Sequence, residues 1–450
     1  MINNGHTGFF IKPMITSKLI RLSILIAGII CYLYYGIYKI IFVPFGLGGG
    51  DFMFIYRAAQ YFVDGRSIYY STAPYFGSYF YPPLAVLFFL PICLLKPHDA
   101  IVGWFILTHI IVVCSACLIY RCGSQMSRLN SLVAVVAAFG FSTPLFANIH
   151  TGNINILILL GLSLTYFLIL SGRERIAPLA LAFSSFLKIY PALLIAAFFH
   201  KKHWIFIKYF IFFSIILTLI SLGIFGLREH EIFLKRLPDG YKYVGPIYNA
   251  SFTSILKLLM NDQNGNVITI ISMIFAAILF LSWWYVANKK PHPQNDNAAL
   301  CVNMFIISII IILVFPASNA MYQFICIIPF YFILFSGFQY SGRLKKFNVF
   351  IILFFLISFW DIIVCHLPLP QCGLTIETIW QRRDEFPLLY PIFCSLSFLF
   401  NLSLFLWLLM NYNELRKALT FIFTENSPNS NISSTTGRFL QISPAAPGNP

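Results

Sequence analysis

The chain has 450 residues, 59% of them hydrophobic, 18% aromatic and only 10% charged, with a mean hydropathy of +0.80. Soluble proteins carry roughly 25% charged residues, which excludes a soluble globular enzyme. The 49 Phe, 24 Tyr and 7 Trp exclude a disordered chain. Thirty Lys and Arg against fifteen Asp and Glu give a net charge of +15. Among apolar runs such an excess signals the positive-inside bias of cytoplasmic loops before it signals nucleic acid. The composition predicts an all-α polytopic integral membrane protein.

The first apolar run, about 19–43, is long enough to cross a bilayer and to be retained as a signal-anchor. Lys12, Lys18 and Arg21 at its start hold the N-terminus inside. Gly48-Gly49-Gly50-Asp51 follows, where glycines let the backbone turn sharply and put the carboxylate at the mouth of the bundle. The stretch 84–95, bracketed by Pro82, Pro83, Pro91 and Pro97, predicts a proline-broken helix, with a short plain span as the alternative. Runs of near bilayer length then cover about 100–119, 131–148, 153–170, 178–199, 205–225, 267–287, 298–315, 322–338, 349–365 and 388–410. The total is about ten to thirteen crossings, in one membrane domain over 1–424. A tail at 425–450, rich in Ser, Asn, Pro and Gly, is expected to be disordered and cytoplasmic.

Basic clusters at Arg121/Arg128, Arg173/Arg175, Lys201/Lys202/Lys208, Lys289/Lys290, Arg343/Lys345/Lys346 and Arg416/Lys417 suit cytoplasmic loops. The long loops about 44–82, 226–266 and 366–387 then face outward. The run 178–199 has basic residues at both ends and Lys188-Ile189-Tyr190-Pro191 inside it, which predicts a second broken helix. In the second outer loop, Phe252, Ile255, Leu256 and Leu259 share one helical face, as in an amphipathic helix lying on the bilayer. Cys114 and Cys117 read as small apolar packers. Cys365 and Cys372 flank an outer segment whose environment permits a disulfide.

Few ionisable groups lie near the membrane. Lys188 is a cation deep in an apolar run. Left unpaired it costs roughly 3 kcal/mol, so a partner or a wet cavity is expected, with snorkelling as the plain alternative. A lipid phosphate is one candidate partner, and Asp361 is another. Tyr56, Arg57, Tyr69 and Tyr81 sit in the first outer loop, where such groups either bind a sugar or anchor the interface. His150-Thr151-Gly152-Asn153-Ile154-Asn155 and Asn319-Ala320-Met321-Tyr322-Gln323 are polar interruptions assigned to the same outer side.

Read in order, Asp51, Gly65-x-x-x-Tyr69, Tyr81-Pro82-Pro83-Leu84 with Pro91, Gly152-x-x-Asn155-x-Leu157, Lys188-x-x-Pro191, Trp204 and Asn249-x-Ser251 resemble glycosyltransferase family 87 over about 45–335. The resemblance implies a GT-C-like bundle with short amphipathic helices in its outer loops. It also implies transfer of a hexose, mannose in this family, from a polyprenyl-phosphate sugar to an extracytoplasmic glycan or lipid-linked acceptor. The implied setting is a bacterial inner membrane with the active site outward. Asp51 is then the general base, and Tyr56, Arg57, Tyr69, Tyr81, Asn153, Asn155, Lys188, Asn249, Asn319 and Tyr322 are candidate substrate contacts. The family usually has Gly-Gln where Gly152-Asn153 stands, and a His pair where Met321-Tyr322 stands. A sugar on a phosphate already has a good leaving group, so one base and a cation suffice and no second carboxylate is required. No Asp-x-Asp occurs in the first outer loop, so neither a metal nor another cofactor is expected. Two other readings stay open: a flippase or transporter of lipid-linked sugars, and a polymerase or ligase of saccharides, to which Arg382 and Arg383 would lend themselves.

Overall fold

A computed structural model describes residues 14–38, 50–70, 79–123, 127–199, 203–240, 251–260, 265–289, 297–315, 320–339 and 389–424. Every regular element among them is helical, as hydrocarbon demands of a segment that must satisfy its own backbone. In chain order, α1 (Met14–Cys31) continues into a π-helical turn (Tyr32–Tyr38), and α2 (Gly50–Val63) follows. A 3-10 segment (Pro83–Phe89) then leads into the single turn α3 (Leu90–Cys93). Next come α4 (Pro97–Gly123), α5 (Arg128–Gly140), α6 (Thr143–Thr151), α7 (Asn155–Leu170) and α8 (Ala177–Leu187), the last continued by a 3-10 segment (Tyr190–Phe198). The remainder is α9 (Trp204–Gly240), α10 (Phe252–Leu259), α11 (Gly265–Asn288), α12 (Asn297–Val314), a 3-10 segment (Ala320–Cys326) entering α13 (Ile327–Gln339), α14 (Leu389–Met410) and α15 (Tyr412–Thr424).

The chain is an all-α polytopic membrane protein. Five helices among the described residues are long and apolar enough to cross a bilayer, and α5 with α6, bent by 53° at their junction, form either a sixth, broken span or a re-entrant loop. Shorter apolar helices of 10–17 residues cover Pro83–Cys93, Asn155–Leu170, Ala177–Leu187, Gln323–Phe335 and Phe398–Met410, and some runs that look continuous in sequence are interrupted. The run 131–148 breaks after Gly140, where the Ser142 hydroxyl caps α6 by accepting from Leu145 N at 3.2 Å and Pro144 occupies its first turn. The run 178–199 breaks at Lys188, whose φ of −150° and ψ of 147° are extended, and Pro191 opens the 3-10 arm beyond it. The stretch after Pro82 is likewise a 3-10 segment and one α turn, the proline-broken form. The expected run 349–365, Asp361, Cys365, Cys372, Arg382, Arg383 and the tail beyond 424 lie outside the described residues.

Burial sorts the helices. Over its 18-residue apolar window α12 is 89% buried and forms the centre, whereas α1 and α9 are 11% buried and α11 17%, on the periphery. α9 runs past the expected end at 225, with a break at Gly226 (φ 74°). There the His230 ring contacts Ser221 Oγ and the Gly226 carbonyl, each at 2.8 Å. Cys114 and Cys117 are exposed on α4 and do not pack inside the bundle: a helix with a lipid-facing side tolerates apolar thiols there. In α10, Phe252 stacks on Phe275 at 4.1 Å and Leu259 is exposed, so only the first part of the expected face meets protein.

α15 was not anticipated. Its residues Tyr412, Leu415, Ala418 and Leu419 are buried at helical spacing, and the Tyr412 hydroxyl donates to Asn303 Oδ1 at 2.9 Å, an oxygen that also accepts from Trp283 Nε1 at 3.1 Å. α1 lies on α5 through two glycines. A Cβ on Gly140 would sit 2.4 Å from the Gly28 carbonyl oxygen, and one on Gly28 would sit 2.7 Å from the Val136 side chain.

Candidate active site

The N-terminus of α2 meets the C-terminus of α6 because two glycines let the backbones touch. Gly50 has φ 48°, and a Cβ there would lie 2.8 Å from the Thr151 carbonyl oxygen. Gly152 has φ 65°, and its added Cβ would lie 2.7 Å from Phe52 Cβ. Gly152 also ends α6 as a left-handed cap, with Asn153 N donating to Asn148 O at 2.9 Å. Beneath them Trp104 Nε1 donates to Gly152 O at 3.0 Å, and Phe52, Phe89 and Trp104 pack together, Phe89 on Trp104 at 4.5 Å.

This contact puts Asp51 beside Asn153. The Asn153 amide nitrogen donates to Asp51 Oδ2, while its carbonyl oxygen accepts from Asn155 N at 2.9 Å and from Lys188 Nζ at 3.1 Å. Two donors at one end and a carboxylate at the other fix the orientation of the amide. Lys188 is 8% exposed, so it does not snorkel. Its charge is within electrostatic reach of Asp51, and its ammonium lies 4.9 Å from the centre of the Tyr81 ring. Asp51 is half-buried in the first turn of α2, where the helix dipole favours a carboxylate.

A second polar layer supports the first. Asn155 Nδ2 donates to Asn148 Oδ1 at 2.7 Å, Asn148 Nδ2 donates to Pro144 O at 2.7 Å, and the Tyr190 hydroxyl donates to Asn155 Oδ1 at 3.3 Å. Neither Asn148 nor Tyr190 is among the site residues expected from the sequence. Their signal is positional: Asn148 lies one helical turn before Gly152, and Tyr190 is two residues past Lys188.

The tyrosines of the first loop form a ladder. Tyr81 to Tyr79 and Tyr79 to Tyr69 are each 5.4 Å between ring centres. The Tyr69 hydroxyl donates to Tyr81 O at 2.8 Å, and the Tyr79 hydroxyl donates to Pro82 O at 2.8 Å. Burial, with the Glu229 carboxylate adding and Arg236 opposing, raises Tyr69 above the usual phenol range, so it remains a neutral donor. The Tyr56 hydroxyl donates to Leu95 O at 2.7 Å, and Arg57 is exposed on α2. The structure therefore gathers Asp51, Asn153, Asn155, Lys188 and Tyr81 at one place, while the Tyr69 hydroxyl is engaged by the Tyr81 carbonyl and the Tyr56 hydroxyl by that of Leu95. Asn249, Asn319 and the side chain of Tyr322 lie outside the described residues.

A carboxylate and a cation joined by one amide at the broken ends of apolar helices place the chain among membrane proteins with a polar site inside a helical bundle. The profile of glycosyltransferase family 87 matches residues 79–316, more than half of the chain, and the chain belongs to that family. It is a membrane glycosyltransferase. Lys188, Tyr81 and the 152–155 turn fall inside the matched span, and Asp51 lies upstream of it. Among curated proteins none matches the chain.

Proposed function

We propose that this glycosyltransferase moves a hexose, mannose, from a polyprenyl-phosphate sugar to an extracytoplasmic glycan or glycolipid, with inversion at the anomeric carbon. The observation that carries the reading is the Asn153 bridge, which holds one carboxylate and one buried cation in fixed register. Asp51 takes the proton of the acceptor hydroxyl, and the acceptor oxygen bonds to the anomeric carbon. The bond from that carbon to the phosphate oxygen breaks, and polyprenyl phosphate leaves with the electron pair. Lys188 supplies positive charge where the leaving phosphate gathers its own. Tyr81 lines the sugar's side of the site, Asn155 supports Asn153 from beneath, and the enzyme works in a bacterial inner membrane with its site outward.

Purified protein given acceptor lipid and a panel of polyprenyl-phosphate sugars should release polyprenyl phosphate from the mannose donor. Release from none of them, or from a different sugar alone, would refute this assignment. Sidedness has its own test. Cysteines placed at residues 70 and 240 should label with an impermeant thiol reagent added outside and one at 345 should not, and the reverse pattern overturns the outward site.

A further inference from the structure

A second basic site lies at the far end of α2. Between that end and the break in α9 is a cavity of about 640 Å³, a size typical of ligand sites, walled by Phe62, Tyr70, Phe225, Arg66, Arg228 and Glu229. Asp51 and Phe62 are eleven residues apart on one helix, or about 17 Å, so this cavity is separate from the Asp51–Asn153–Lys188 cluster. The tyrosine ladder stands between the two.

The charges in the cavity are unbalanced. The Glu229 carboxylate is engaged by Ser67 Oγ at 2.9 Å and Ile68 N at 3.2 Å. Neither Arg66 nor Arg228 forms an ion pair among the described residues; Arg66 rests 5.9 Å from the Tyr70 ring, and Arg236 adds charge nearby over Tyr69. Two guanidiniums with free donors suit the oxygens of a phosphate. Below the cavity, the apolar length of α9 presents Ile211, Phe212, Ile215, Leu219 and Ile224 outward, and Leu227, just past the Gly226 break, is 74% exposed. A ligand that reaches the arginines along this stripe has apolar chains ending in an anionic head.

We propose that this cavity binds the phosphate of a lipid, with Arg66 and Arg228 on the headgroup and the acyl or prenyl chain along α9. The site would hold a lipid separate from any donor at Lys188. Delipidated protein is titrated with phosphatidylglycerol, with diacylglycerol of the same chains, and with inorganic phosphate, and bound species are counted by native mass spectrometry. The wild type should retain a phosphatidylglycerol that diacylglycerol and equimolar inorganic phosphate fail to displace. The R66Q/R228Q variant, melting as the wild type does, should bind it about tenfold more weakly or worse. D51N should retain it, which separates failure here from failure of the catalytic reading. If the double variant does not fold, a photoreactive phosphatidylglycerol on the wild type decides instead, with cross-links expected in residues 62–70 or 225–229. Unchanged affinity in a folded double variant, displacement by inorganic phosphate, or cross-links confined elsewhere would overturn the proposal.

Discussion

Lys188→Met deletes a buried charge while keeping an unbranched chain of similar length. It removes the hydrogen bond to Asn153 Oδ1 and the ammonium contact with Tyr81. Breaking a buried pair usually costs about 3–5 kcal/mol because the partner is stranded. Here neither partner is stranded. Asn153 Oδ1 keeps the Asn155 N–H at 2.9 Å, and Asp51 is half-buried and can recover water. The losses are then a charge-assisted hydrogen bond of about 1.5–3 kcal/mol and a cation–π contact of about 1–2 kcal/mol. Relief from desolvating an ammonium, several kcal/mol, offsets them, so the melting temperature should move by no more than a few degrees. Donor binding has no such offset. A lost charge-assisted contact to phosphate of about 2–3 kcal/mol is roughly a 30- to 150-fold weaker dissociation constant. The assay is titration of a polyprenyl-phosphate-mannose analogue, with melting curves, on Lys188→Met, Asp51→Asn and the double variant. A strongly destabilised single variant, restored in the double variant with wild-type donor affinity, would make Lys188 a structural counter-ion and refute the phosphate role.

Asp51→Asn keeps shape but cannot take a proton, so turnover should fall by roughly 10² or more with expression unchanged, and near-normal turnover removes Asp51 from the mechanism. Gly152→Ala needs φ 65° and pushes a methyl against Phe52, so it should cost about 1–3 kcal/mol in stability. It should also dislodge Asn153 from Asp51, and a wild-type melt with wild-type turnover would contradict the close approach. His203 is buried 3.7 Å from Glu174, and burial lowers its pKa although the carboxylate pulls it up. Its neutral form is therefore favoured in the fold. Stability should hold above about pH 6.5, decline as the pH falls toward the lower folded value, and decline less in His203→Gln, as read by melting temperature across pH.

Composition and proline placement made the helical membrane class and the two broken runs legible, because a missing N–H and a fixed φ act locally. They left the Gly140–Ser142 break unseen, since Ser142 and Pro144 act as a start signal that continuous hydropathy hides. The site was half legible. Asp51 and Lys188 stand out because charge is rare in this chain, yet their joining through Asn153 depends on two glycines 102 residues apart meeting in space. That the Tyr56 and Tyr69 hydroxyls donate to the Leu95 and Tyr81 carbonyls was not legible, because residue type says nothing of which carbonyl a hydroxyl will find. α15 escaped notice because its apolar stripe is short and set among charges.

The Gly28–Gly140 crossing bears on how the protein is made. The first helix shows most of its surface to lipid, and lipid solvates it as well as protein does, so it can insert before its neighbour exists. The surface it needs on α5 emerges from the ribosome more than a hundred residues later, and close approach at Gly28 and Gly140 joins the two, while the Tyr32 hydroxyl just beyond α1 meets His109 Nδ1 of α4 at 2.7 Å. A methyl added at position 140 would then leave insertion intact and block the later docking, giving a full-length chain in the bilayer whose first helix drifts free of the bundle.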